Sequence, residues 1–392
     1  MRVTAVHGFE RLSRLFSYAV EGSVPREREG SIARWVGCDA TLIVRSDGGS
    51  ERAVHGVVAR AMRIGRAGDR VHVAVDIAPR LARLAGASGR RVFSTSMLYE
   101  IARVVLGAHG IGFAWRVRPE PPIREHRVQA GETDLAFLMR VAADDGVHFF
   151  FEHRAAESIL VFANRWDDRA VTIDADAAPA AFADDADVDR DAPLPAGSFA
   201  GVTPSLAIAP GIVVARDDAG PDDPARLVVA EVHLRITAAS PGPRAEAEDP
   251  SALARFRAVP ATPFERPARL AKPRIRLQLA RVVGPRIGEP FVDDFGRIQV
   301  ELAWDHGGAL PEHRTLWVSP IGGDRAGAAA DDPLGWFPVG SDVLVDFIDG
   351  DIDRPAVTIP IASHTSDGSD SSDTPSRASW ISESPSSRAQ PA

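Results

Sequence analysis

The sequence predicts a mainly β protein (α+β) with a few helices, closing in a small barrel. Three observations carry this. Asp294-Phe295-Gly296-Arg297 is a turn signal. After it Ile298, Val300, Leu302 and Trp304 alternate with Gln299, Glu301 and Ala303, the two-residue period of a half-buried strand. Farther on, Asp346-Phe347-Ile348-Asp349-Gly350-Asp351-Ile352-Asp353-Arg354-Pro355 reads as the reverse, an apolar strand ending in a Gly-Asp turn closed by Pro. Finally, 30 Pro and 33 Gly favour many short elements and turns over long helices.

The other elements follow in order. Residues 40–45 are rich in Thr, Leu, Ile and Val, and in 70–77 Val71, Val73, Val75 and Ile77 alternate with His72, Ala74 and Asp76. Both segments predict strands. A helix is expected after Ser96 as N-cap, with Leu98, Ile101 and Val105 at helical spacing and Gly107 and Gly110 ending it. A second helix begins at Thr133, which can cap. Asp134 suits the positive end of its dipole, Leu135, Leu138 and Val141 form its stripe, and Asp144-Asp145-Gly146 stops it. Residues 147–152 hold three consecutive Phe and predict a strand buried on both faces. Residues 165–200 read as an irregular connection, strands resume at 211–215 and 227–236, and 238–250 is another loop. The four prolines of 260–273 mark a linker. In 274–279, Ile275, Leu277 and Leu279 alternate with Arg274, Arg276 and Gln278, which predicts one apolar face. From 363 onward Ser, Asp and Pro predict a disordered tail.

Bulk properties narrow the function. A length of 392 residues corresponds to about two to three domains. A net charge of −9 argues against general nucleic-acid binding. Of the 45 basic residues only Lys272 is lysine, a bias that fits a GC-rich genome. Cys38 is the sole cysteine, so neither an intrachain disulfide nor a cysteine metal cluster is expected, and the side chain should be a half-buried small apolar group. No secretory signal or stretch of about 18 apolar residues is visible, which predicts synthesis in the cytoplasm and no stable membrane insertion.

Catalytic signatures are missing: no Gly-x-Ser-x-Gly elbow, no His-Glu-x-x-His and no phosphate loop. No cofactor, metal or catalytic residue is therefore expected. His148 and His153 lie five apart on a strand and point to opposite faces. The acidic run 184–191 lacks the Gly and Glu of a calcium loop and reads as solvated. Asp349, Asp351 and Asp353 read as turn-formers whose charge Arg354 offsets. The basic stretch Arg266–Arg286 carries no aromatic platform and does not fit a single-strand site. Trp304 ends the apolar face and is expected in the barrel core, and Gly296 in a tight turn.

The chain resembles the VgrG family of type VI secretion tip proteins and the phage tail hub and spike proteins related to it. The resemblance rests on words in the family's order: His7-Gly8-Phe9-Glu10-Arg11-Leu12-Ser13, Gly37-Cys38-Asp39-Ala40-Thr41-Leu42, His55-Gly56-Val57-Val58, Val128-Gln129-Ala130-Gly131-Glu132-Thr133-Asp134, Asp145-Gly146-Val147-His148-Phe149-Phe150-Phe151-Glu152-His153, Phe256-Arg257-Ala258-Val259-Pro260-Ala261 and the two barrel words above. It implies two hub-like barrel regions (1–165 and 166–273), an OB-fold barrel (274–362) and the tail (363–392). It also implies structural positions at Gly296, Arg297, Trp304, Asp305, Trp317, Gly340, Gly350, Asp351, Asp353, Arg354 and Pro355. The implied partners are two further copies in a homotrimer, a hexameric tube protein, a separate needle or tip protein, and effectors. The implied location is the injection apparatus, with secretion on firing.

The chain departs from the family pattern at Phe337-Pro338, at Ile352 in place of Pro, and at Ser319. The residues after 362 are unrepetitive and do not predict a β-helical needle, so the spike is expected as a separate chain or the protein as a short form. The rival readings are an OB-type module binding oligonucleotide or oligosaccharide, and a phage-derived hub with a cell-wall hydrolase role.

Overall fold

The computed structural model describes residues 1–45, 51–166, 170–172, 196–215, 226–237, 251–262, 266–286, 289–304, 314–320 and 337–360. Asp305, the acidic run 184–191 and the tail lie outside the described residues. Strands dominate, as the turn-rich sequence predicts. The first half holds β1 (Arg2–Arg11), β2 (Ser17–Pro25), β3 (Asp39–Arg45), β4 (Glu51–Ala67), β5 (Arg70–Ala78), β6 (Ser88–Ser96), α1 (Leu98–Gly107), β7 (Phe113–Arg116), β8 (Arg124–Thr133), α2 (Asp134–Asp144), β9 (His148–His153) and β10 (Ser158–Ala163). Then follow β11 (Ala170–Thr172), β12 (Phe199–Thr203), β13 (Val213–Ala215), β14 (Arg226–Thr237) and β15 (Ser251–Pro260). The last strands are β16 (Gln278–Val282), β17 (Ile298–Leu302), β18 (Thr315–Pro320), β19 (Asp342–Phe347) and β20 (Pro355–Pro360).

A ten-stranded sheet runs β11-β13-β14-β1-β2-β5-β4-β3, with β15 also on β14 and β12 on β15. The expected boundary at 165/166 falls inside this sheet, because β1 pairs antiparallel with β14 from Ala5↔Thr237 to Arg11↔Glu231. β1 pairs with its neighbour β2 on one edge, but its other edge is closed by a strand more than 200 residues away, which no local pattern signals. The inner face of the sheet packs on α1, α2 and the small sheet β7-β10-β9, with Val20, Ile101, Val105, Phe137, Val141 and Phe256 in one core.

The helices form much as predicted. Thr133 caps α2, its hydroxyl accepting from the Ala136 N–H at 3.1 Å. The first helix starts one residue later than expected. Met97 is its N-cap residue and its N–H donates to the Glu100 carboxylate at 2.8 Å, while the Ser96 hydroxyl turns back to the Ser94 carbonyl. Phe149, Phe150 and Phe151 are all buried, as expected of a strand covered on both faces. Cys38 differs from expectation and is exposed, its thiol donating to the Arg34 carbonyl.

Strands β16-β17-β18-β20-β19 close a five-stranded barrel in which β18 and β20 run parallel. Closure removes the unpaired edges. The alternation read at 298–302 holds: Ile298, Val300 and Leu302 are buried, and Gln299 and Glu301 face outward. The alternation read at 274–279 does not hold. Ile275 is buried, but Leu277 and Leu279 are 54% and 43% exposed, and Ala280 and Val282 point inward instead. The strand begins only at Gln278, so the irregular stretch before it lets the facing change phase.

One buried ionic cluster joins the sheet to the layer beneath. The Glu10 carboxylate of β1 accepts from the Tyr18 hydroxyl of β2, the Arg52 guanidinium of β4 and, at 3.1 Å, the His153 Nε2–H of β9. Arg52 also donates to the Ile208 carbonyl at 2.7 Å. Burial alone would push the Glu10 carboxyl up, but Arg52 and His153 outweigh it and bring it down from 4.5 to about 2.

Glu10→Gln leaves Arg52 buried without its counter-charge and is expected to cost about 3–5 kcal/mol in denaturant unfolding. The sign for pH follows from the lowered value. Ionised Glu10 contributes fully above 4.5, and that contribution disappears as pH falls toward about 2. Unfolding midpoints of the wild type should drop through this window, and those of Glu10→Gln should drop less.

Candidate functional site

Several of the family-motif positions gather where the barrel meets the two-stranded sheet of β6 and β8. Val92 of β6 and Val128 of β8 are fully buried and belong to the same apolar cluster as Val300, Leu316 and Val345 inside the barrel. The strand pair can offer them because its strands alternate: Val92 pairs directly with Val128 across the ladder, so both point to the barrel side. The Ser94 hydroxyl donates to the Thr315 carbonyl of β18.

Arg297 supplies the polar side of this joint. Asp293 organises the preceding turn, its carboxylate accepting from the backbone N–H of Phe295 at 3.0 Å and of Arg297 at 2.9 Å. Gly296 lies at φ 72°, in the left-handed region, as a tight turn requires. The turn aims the Arg297 guanidinium at both Asp293 (2.6 Å) and Glu125 of β8 (2.5 Å). These partners, Glu125 first, raise the guanidinium pKa further.

Trp304 is half-buried at the barrel rim and not in its centre. Its indole N–H donates to Gln278 at 2.8 Å, and Arg90 of β6 lies 6.0 Å above the ring. A rim position lets the indole keep a polar partner while its ring covers the joint. Trp317 is also half-buried, on the outward face of β18 opposite Gln299. Gly340, at φ 87°, turns the chain into β19, and its N–H donates to the Val282 carbonyl.

The acidic corner behaves in part as predicted. Asp349 and Gly350 both adopt positive φ, and the Asp353 N–H donates to the Asp351 carboxylate at 3.1 Å. Arg354 pairs with Asp349, at 3.3 Å. Lys272, from the linker, is the cation that holds Asp353 (2.5 Å) and Asp351 (3.4 Å). Pro355 opens β20. The departures from the family pattern are structural too, since Ile352 and Phe337 are buried in the barrel cluster. Gly296, Arg297, Trp304 and the 349–355 corner therefore face the joint, whereas Trp317 and Gly340 lie elsewhere on the barrel.

The sequence does not reveal Val92, Val128 and Glu125, because nothing local distinguishes a valine facing another domain from a core valine. Between β8, linker and corner lies a cleft of about 350 Å³ lined by Arg124, His126, Arg127, Arg269, Lys272 and Asp353. Burial pushes the His126 ring down. The polar lining suits water. Among the described residues no group of His, Cys, Asp and Glu is arranged to hold a metal ion.

Residues 9–249 match the family model of the phage tail baseplate hub (GPD). The type VI secretion system spike protein VgrG4b of Pseudomonas aeruginosa is 26% identical over 91% of this chain and 54% of its own length. VgrG3 of Vibrio cholerae is 26% identical over 81% of this chain and 38% of its own. The chain thus spans about half or less of the curated relatives it matches. Among solved structures, the E. coli c3393 protein, a component of the type VI secretion system, superposes with a TM-score of 0.66 at 20% identity, over 91% of this chain and 96% of that one. A Francisella PdpA–VgrG complex gives 0.61 at 6% identity, over 94% and 75%.

Two predictions separate the forces at the joint. Val128→Ala should cost about 2 kcal/mol, and Lys272→Ala under about 1 kcal/mol because its pair is half exposed. Urea unfolding followed through tryptophan fluorescence reads both, and equal losses would mean the ion pairs carry the joint. Gly296→Ala should cost about 1–2 kcal/mol in thermal melting from its left-handed φ alone, since the space around it is open.

Proposed function

The chain belongs to the phage tail baseplate hub (GPD) family, and on that premise we propose that it is a structural hub of a contractile injection apparatus of the type VI secretion kind. One observation carries the reading. The two-stranded sheet β6-β8, which carries α2 behind it, and the five-stranded barrel share one apolar cluster, and the likeness to the c3393 protein covers 91% of this chain, the barrel included. Rigid barrels joined without a soft hinge suit a part that passes on mechanical load. The role is mechanical and not catalytic.

In this reading the barrel is an OB fold, on its strand order: the first strand pairs with the second and fourth, and the third runs parallel to the fifth. Three copies form a ring on a hexameric tube, a closed cyclic symmetry that stops open-ended growth. A separate needle or tip protein and effectors dock on the barrel side. The protein is made in the bacterial cytoplasm and assembled on the apparatus.

Sedimentation equilibrium at micromolar concentration, together with co-purification of a tube protein from the native cell, tests this. A trimer that captures the tube protein is expected. A strict monomer that captures none would sink the reading.

A further inference from the structure

A second cavity, of about 710 Å³, opens on the inner face of β1, β2, β3, β4 and β5, away from the joint. Val20, Leu42, Val58, Val75 and Ile77 form its floor and are buried. Their short or branched side chains leave the space between them open. The helical turns of Arg26–Trp35 cover one end, where Ile32 packs on Val24, Val71 and Val73. Trp35 borders the space that remains.

The mouth is polar and mostly paired. Asp39 is held by Arg80 at 2.8 Å, Thr41 bonds His55 at 3.1 Å, and the Cys38 thiol donates to a carbonyl. Arg28 is the exception: its exposed guanidinium lines the mouth and has no carboxylate partner among the described residues. An apolar cavity of ~300–1,000 Å³ with one directing polar group is the usual form of a small-molecule site, including at the mouths of barrels. Water gains little there, because it needs two to four polar partners. A guanidinium at the entrance selects an anion, and a carboxylate matches its fork.

We propose that this cavity binds a single-chain carboxylate amphiphile of the fatty-acid type, its alkyl chain among the valines and its carboxylate on Arg28. The site lies in the hub part of the molecule and does not depend on the mechanical role proposed above.

Calorimetric titration of the full chain with laurate, below its micelle concentration, tests the proposal. A solvatochromic dye on Cys38, the sole thiol, gives a second readout at the mouth. Saturable one-to-one binding is expected, weakened about tenfold by Arg28→Ala, the loss of one charge-assisted contact. Ala40→Phe, which fills the cavity, should abolish binding, and dodecyltrimethylammonium should bind at least tenfold more weakly than laurate. Arg28 is exposed, so its variant keeps the test sound should Ala40→Phe fold poorly. Three results would each overturn the proposal: no saturation with laurate, equal affinity in Arg28→Ala, or binding seen only with phosphatidylglycerol vesicles.

Discussion

A single buried carboxylate, Glu10, sets the arrangement on which the rest of the molecule is built. Strand β1 carries it, β2 and β4 of the large sheet and β9 of the small one each send a side chain to it, and Arg52 extends the cluster to the Leu206–Ile208 turn. A buried charge is tolerated only when every neighbour is in register, because one missing partner leaves an ion in a low-dielectric interior. The cluster therefore contributes specificity more than net stability. It selects the pairing of β1 with β14 and the seating of the Phe149–Phe151 strand over slipped alternatives of similar apolar burial. Tyr18 feels the same environment: burial and the Glu10 charge raise its hydroxyl well above the ordinary value, so it stays a donor.

The joint between sheet and barrel follows a different logic. Here the ionic contacts are half exposed and the apolar ones are fully buried. Lys272 and its aspartates keep about a third of their side-chain surface in water, which screens them, whereas Val92 and Val128 lose all of theirs. Apolar burial thus supplies the strength, and the charges fix the orientation. The one lysine of the chain sits where a compact ammonium can lie between two carboxylates of one corner, a geometry that a planar guanidinium fits less well.

Much of this was legible in the sequence, and the exceptions share a cause. The β17 alternation, the Thr133 cap, the left-handed Gly296 and the buried Phe triplet each depend on a few neighbouring residues, and each stands as read. Trp304 was misplaced because the apolar period places a side chain on a face but cannot show where the barrel ends. Leu277 and Leu279 were misplaced because the irregular stretch before β16 shifts the phase. Cys38 was expected half-buried from composition, yet it follows the Arg26–Trp35 turns at the surface. The single sheet shared by both ends of the chain, the Glu10 cluster and the Arg297–Glu125 contact all join residues more than a hundred positions apart, where a single sequence carries no pattern to read.

From Arg266 to Leu277 the chain leading to the barrel forms no strand; it is held by an isolated bridge between Arg274 and Asp351, by the Ile275 N–H on the Gly350 carbonyl and by the Lys272 ion pairs. The firmer non-covalent contact runs through the paired strands β6 and β8, whose valines enter the barrel cluster. Behind these two strands, Asp134 at the start of α2 accepts from Arg91, Gln129 and His109, and at the far end of α2 Arg127 holds Asp144 and Asp145. Arg127 also offsets the two carboxylates that would otherwise oppose the helix dipole at its C-terminus. Both ends of α2 are therefore pinned to the strand that carries Val128. The strands that enter the barrel cluster are therefore backed by a helix and by the core beneath it, so the barrel contacts a packed part of the first half and not the irregular connector alone.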